Sequence, residues 1–74
     1  MLLDPPRAGL SAEARKTIIA IAPGQIIYVS CNPATFARDI RAFSRSGYRL
    51  EKITLIDLFP ATCHAELIGL LERR

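Results

Sequence analysis

The spacing of apolar residues changes along the chain in a way that marks successive elements. Leu2-Leu3-Asp4 reads as the end of a buried strand that turns at Pro5-Pro6, shorter than the ~5–6 residues usual for a strand. Ser11 is a helix N-cap, and Ala14, Ile18 and Ile21 follow at i, i+4, i+7, the period of one helix face. Pro23-Gly24 supplies the stop. Ile26-Ile27-Tyr28-Val29 is a β-branched and aromatic run that suits a strand buried on both faces. Asn32 then caps a second helix with Pro33 at its first position, and Phe36, Ile40 and Phe43 repeat the helical spacing up to Gly47. A third strand is expected over Lys52 to Leu58, closed by Pro60, and a fourth over Ala65 to Leu71.

The predicted order is strand, helix, strand, helix, strand, strand. Helical crossovers imply that the first three strands are parallel neighbours with right-handed connections. The last connection is too short for a crossover, so the fourth strand runs antiparallel to the third. This is an α/β fold of three parallel strands plus one antiparallel.

Composition changes little in this picture. Half of the 74 residues are hydrophobic, enough for a core and too many for a disordered segment. A chain this short buries only about 60% of its unfolded surface, so its stability is marginal. Ten Lys/Arg against seven Asp/Glu leave a net charge of +3, compatible with a nucleic-acid partner, but the cations are scattered as on many solvated surfaces. No apolar run approaches the roughly 18–20 residues of a membrane span, and Met1-Leu2-Leu3-Asp4 lacks a signal peptide's basic and apolar regions. No membrane partner is expected, and a cytoplasmic protein is. Cys31 and Cys63 with one histidine are too few for a closed zinc site, and free thiols are the expectation.

Chemistry gathers at one edge of the predicted sheet. Ligands of open α/β sheets bind beyond the carboxyl ends of the parallel strands. Asp4 and Cys31 stand at those ends, Phe59-Pro60-Ala61-Thr62 leave the third strand there, and His64 and Glu66 begin the antiparallel return. Each has a plain structural alternative. Asp4 before two prolines suits a turn, Cys31 could be a small buried hydrophobe, and His64 could satisfy loop hydrogen bonds. Against a buried role for Cys31, it lies just before a helix N-terminus, whose dipole favours a thiolate. Cys63 has no such helix after it and reads as a structural thiol. Glu66 opens an otherwise apolar strand, so it either faces water or needs a partner.

Three segments carry a family resemblance: Asp4-Pro5-Pro6-Arg7-Ala8-Gly9-Leu10, Tyr28-Val29-Ser30-Cys31-Asn32-Pro33-Ala34-Thr35, and Asp57-Leu58-Phe59-Pro60-Ala61-Thr62-Cys63-His64-Ala65-Glu66. In this order they resemble the RNA uracil-C5 methyltransferases, which make 5-methyluridine in tRNA or rRNA with S-adenosyl-L-methionine. The resemblance implies a Rossmann-like class I methyltransferase sheet, Cys31 as nucleophile, Glu66 as base and Asp4 as a contact at the cofactor and target-base site. Arg7 and Asn32 are weaker candidates for holding the base or RNA. Related cytosine-C5 enzymes carry a second cysteine straight after Asp-Pro-Pro, where this chain has Arg7.

Family members carry a Gly-rich cofactor-binding strand and a separate RNA-binding domain upstream of the Asp-Pro-Pro motif. Residues 1–74 are therefore expected to be the C-terminal part of a catalytic domain, inactive in isolation. The competing expectation is a non-catalytic interaction module that self-associates through the edge of the Met1–Asp4 strand.

Overall fold

The computed structural model describes residues 1–59 and 64–74, with the side chains of 1–56 and 66–74. Six elements follow the predicted order: β1 (Leu2–Leu3), α1 (Ala12–Ile21), β2 (Gln25–Ser30), α2 (Pro33–Ser44), β3 (Tyr48–Phe59) and β4 (His64–Arg73). Both helix starts are capped as their sequences require. The Ser11 side chain accepts from the Ala14 N–H at 3.1 Å, and the Asn32 amide oxygen accepts from the Ala34 N–H at 3.0 Å, with Pro33 next to it. Helix α1 stops one residue earlier than Pro23: Ala22 adopts a left-handed φ of 54° and returns its N–H to the Ile18 carbonyl. Gly47, at φ 94°, makes the turn between α2 and β3.

The sheet order is β1-β2-β4-β3. Strand β1 is parallel to β2, and β4 is antiparallel to both β2 and β3, so β1, β2 and β3 share one direction. The expected direction of each strand holds, whereas β2 and β3 are not neighbours, because β4 lies between them. Their side chains explain the arrangement. Leu67-Ile68-Gly69-Leu70-Leu71 is the longest unbroken apolar run among the strands and takes a central position, while β3, with Arg49, Glu51 and Lys52, tolerates the edge. Strand β3 also starts four residues before Lys52. Tyr48 and Leu50 point inward opposite Arg73 and Leu71, and the shift between Leu50 and Lys52 leaves Glu51 as an extra residue in the ladder. That bulge breaks the alternation that would have revealed the strand.

Both helices cover one face of the sheet. Ile18 of α1 and Phe36, Ile40 and Phe43 of α2 join Ile26, Tyr28, Tyr48 and Leu71 in a single core. Tyr28–Phe36 and Phe43–Tyr48 meet edge to face, with centroids 5.6 and 6.0 Å apart. On the other face no described helix packs, and Leu2 and Ile27 stay 69% and 40% exposed.

Gly69 is where α2 comes closest to the sheet. A Cβ there would lie 2.9 Å from Phe36 Cζ and 3.1 Å from Cε2. Phe36 is buried against Tyr28 and has little room to move. Gly69→Ala is therefore expected to cost about 1–3 kcal/mol of stability through overpacking. Urea denaturation checks this, and Phe36→Leu in the same chain should recover part of the loss.

Candidate catalytic edge

The carboxyl ends of β1 and β2 lie side by side, Leu3 pairing with Tyr28. Asp4 follows directly on β1 and is exposed, and Cys31 follows directly on β2 and is an exposed free thiol. Strand β4 returns antiparallel along β2 with Gln25 opposite Glu72 and Ser30 opposite Leu67. That ladder ends at Ser30 with Leu67, and Cys31 and Glu66 are the next residue on either side. Thiol and carboxylate are therefore carried on adjacent backbone segments, one residue beyond the last paired rung. Glu66 is half-buried and pairs with Ile56 of β3. By alternation it shares the face of Ile68 and Leu70, away from the helices. His64 starts β4 opposite Phe59. Pro60, Ala61, Thr62 and Cys63, and the side chains of Asp57, Leu58, Phe59, His64 and Ala65, lie outside the described residues.

The loop after β1 is held by α2. Asn32 Nδ2 and Thr35 Oγ1 both donate to the Arg7 carbonyl, at 3.2 and 3.1 Å. Arg38 Nη2 donates to the carbonyls of Ala8 and Leu10, each at 3.0 Å. Gly9 turns the loop at φ 80° with its N–H on the Pro6 carbonyl at 2.8 Å. A Cβ at Gly9 would sit 2.6 Å from Arg38 Nη2 and 2.8 Å from Asp39 Oδ2, so both φ and space call for glycine. Asn32 thus uses its amide oxygen to cap α2 and its nitrogen to fix the loop, while the Arg7 side chain is left exposed.

Beneath this loop lies a residue that pattern reading missed. Asp39 is fully buried, yet its carboxylate accepts from the Leu10 N–H at 2.9 Å, Arg15 Nη1 at 2.9 Å, Arg38 Nε at 3.3 Å and the Tyr28 hydroxyl. Burial by itself would raise the Asp39 carboxyl, but those donors and the Arg38 charge outweigh it and hold the group below its ordinary 3.8. Burial, the hydrogen bond to Asp39 and the carboxylate's charge all push the Tyr28 hydroxyl well above 10.0. One signal was available: Asp39 falls three residues after Phe36 and one before Ile40, on the inward stripe of α2.

A mixed sheet with helices on one face thus carries a thiol, two carboxylates and a tethered loop at its carboxyl edge. Comparison with known proteins supplies the family. The family model for tRNA (uracil-5-)-methyltransferases matches residues 1–74, and the chain belongs to that family. It is 51% identical over 73 residues to an uncharacterised RNA methyltransferase of Caldanaerobacter subterraneus, covering 99% of this chain and 16% of that protein. A second, from Aquifex aeolicus, is 49% identical over 72 residues, covering 97% and 17%. Among solved structures, the tRNA (uracil-54, C5)-methyltransferase of Pyrococcus abyssi in complex with S-adenosyl-L-homocysteine superposes with a TM-score of 0.83 at 47% identity, covering 95% of this chain and 17% of that one. The chain thus spans about one sixth of the length of the relatives it matches.

Removing the Asp39 charge leaves Arg15 without its partner, and Asp39→Asn is expected to cost about 3 kcal/mol or more, as breaking a buried pair does. The pH dependence carries the same signature. Protons bind the unfolded carboxylate first, so the stability from Asp39 is present above its ordinary 3.8 and is lost as pH falls through the lower folded value. At the alkaline end the unfolded tyrosine ionises first, so stability falls as pH rises above 10.0. Thermal unfolding from pH 2 to 11 checks both limbs: Asp39→Asn should flatten the acid one and Tyr28→Phe the alkaline one.

Proposed function

We propose that this chain is the C-terminal catalytic segment of an enzyme that makes 5-methyluridine in RNA, tRNA or rRNA, with Cys31 as nucleophile and Glu66 as base. The observation that carries this reading is the ladder between β2 and β4, which ends at Ser30 with Leu67 and leaves Cys31 and Glu66 as the next residue on either side. Uracil C5 is too weak a nucleophile to take a methyl group unaided. The Cys31 thiolate adds to C6, forming an S–C6 bond and moving the C5–C6 electron pair into an enolate that makes C5 carbanion-like. Once C5 carries the methyl, Glu66 removes the C5 proton. The freed pair rebuilds the C5–C6 double bond and expels the thiolate. A uracil reached from both sides must leave the base stack.

S-adenosyl-L-methionine, when bound, supplies the methyl as a sulfonium electrophile. The residues present fit that group at one point: Asp4, exposed just past β1, can accept from a hydroxyl or amine. Arg7, exposed on the tethered loop, is available to an RNA phosphate, and Asn32 serves by fixing that loop.

The test is a chimera in which this chain replaces the corresponding segment of the Pyrococcus abyssi enzyme. The chimera should methylate uridine in RNA. Cys31→Ala should abolish methylation, and Glu66→Gln should trap a covalent RNA–protein adduct visible by denaturing gel. Normal turnover by Glu66→Gln would remove Glu66 from the base role.

A second reading is an interaction module that self-associates through β1. It is supported by the position of β1 at the sheet edge, beside exposed Leu2 and Ile27. Sedimentation of the 74-residue chain should then show a dimer at high concentration, which Leu2→Lys dissociates; a monomer throughout excludes it.

A further inference from the structure

We propose that the outer face of α2 is a binding surface for the phosphate backbone of RNA. The inference rests on the RNA-methylating role proposed above, and it concerns a part of the molecule that the chemistry does not use. A groove of about 420 Å³ runs along α2 and is lined by four guanidinium groups, those of Arg15, Arg38, Arg41 and Arg45. Arg38, Arg41 and Arg45 are spaced i, i+3, i+7, which stacks them along one helix face over about two turns. Arg15 reaches the same groove from α1. No acidic side chain lines it among the described residues.

Asp39 lies behind the groove with no exposure, and it orients two of the four cations. Arg15 and Arg38 both bond to it while remaining 21% and 50% exposed. Two heads are therefore fixed in place, and Arg41 and Arg45 are exposed on the same face. Four positive charges over one buried negative leave the groove at +3.

The remaining lining is Ala34, Ala37 and Ala42. These small side chains leave a floor that a sugar–phosphate ribbon can approach closely. They offer neither the bulky anchors of a protein hot spot nor the large apolar residues with which a helix enters a lipid surface. Guanidinium forks match phosphate oxygens two at a time. The groove also starts at the right place. Ala34 is in the first turn of α2, three residues after Cys31, and the run to Arg45 covers roughly 16 Å at ~1.5 Å per residue. An RNA strand whose uracil sits at Cys31 can continue along α2 with its phosphates against the arginines.

The test measures binding of the 74-residue chain to a single-stranded, uridine-containing RNA by fluorescence anisotropy between 50 and 300 mM salt. Each phosphate contact contributes about 0.7 to the slope of log affinity against log salt for a single strand. Arg41→Ala with Arg45→Ala should lower affinity and reduce that slope by about 1.4. Arg41→Lys with Arg45→Lys should keep the slope. Alanine is a strong helix former, so the double variant should match the wild type by circular dichroism. An unchanged slope, no RNA binding by the wild type, or tighter arginine-dependent binding to phosphatidylserine vesicles than to RNA would each overturn the proposal. The chimera separates the two readings. Methylation with an unchanged slope rejects the groove alone, and a reduced slope with Cys31→Ala still methylating rejects the catalytic assignment alone.

Discussion

The buried carboxylate of Asp39 is the constraint on which the rest of this small molecule depends. It joins four separate parts of the chain: the Leu10 backbone in the loop after β1, Arg15 on α1, Tyr28 on β2 and Arg38 beside it on α2. A charge buried without partners would be intolerable, but every described buried polar side-chain atom has a partner. What this arrangement contributes is geometry. Apolar packing slides easily, whereas a carboxylate with defined donors admits one relation between two helices, a strand and a loop.

That relation reaches the candidate catalytic edge. The loop bearing Asp4 and Arg7 has little apolar burial of its own, and its carbonyls are held by Asn32, Thr35 and Arg38. The same helix begins two residues after Cys31 and packs Phe36 over Gly69 of β4. One helix thus organises the loop after β1, the thiol after β2 and the approach of the strand that carries Glu66.

Much of the fold was legible because local chemistry and tertiary structure agree. Ser11 and Asn32 cap where their side chains can reach, and the apolar spacing of both helices matches their buried faces. Three departures have physical causes. The extra residue at Glu51 shifts the alternation of β3 and conceals its first half. Strand order is a non-local property that crossover rules constrain in direction only, so the insertion of β4 between β2 and β3 had to be read from its unbroken apolar run. Asp39 was hidden because a charged residue within an amphipathic helix is ordinarily assigned to solvent, and its burial depends on donors from distant segments. At the site, the convergence of Asp4, Cys31 and Glu66 on one edge followed from strand direction. That Cys31 and Glu66 both lie just beyond the last rung of the β2–β4 ladder required the register.

The central place of β4 also has a consequence for how the molecule comes into being. In the folded sheet β2 and β3, joined by α2, stand two inter-strand spacings apart, roughly 9–10 Å, because β4, which follows both in sequence, lies between them. Without β4, the facing backbone edges of β2 and β3 lack their ladder partners, and Glu66 does not lie beside the end of β2. The carboxyl edge is therefore incomplete until β4 is in place, because Cys31 follows β2 whereas Glu66 belongs to β4. Closing this ladder joins residues far apart in sequence, the kind of contact that forms late and slowly. Cys31 and Glu66 come onto one edge by the same event that completes the sheet.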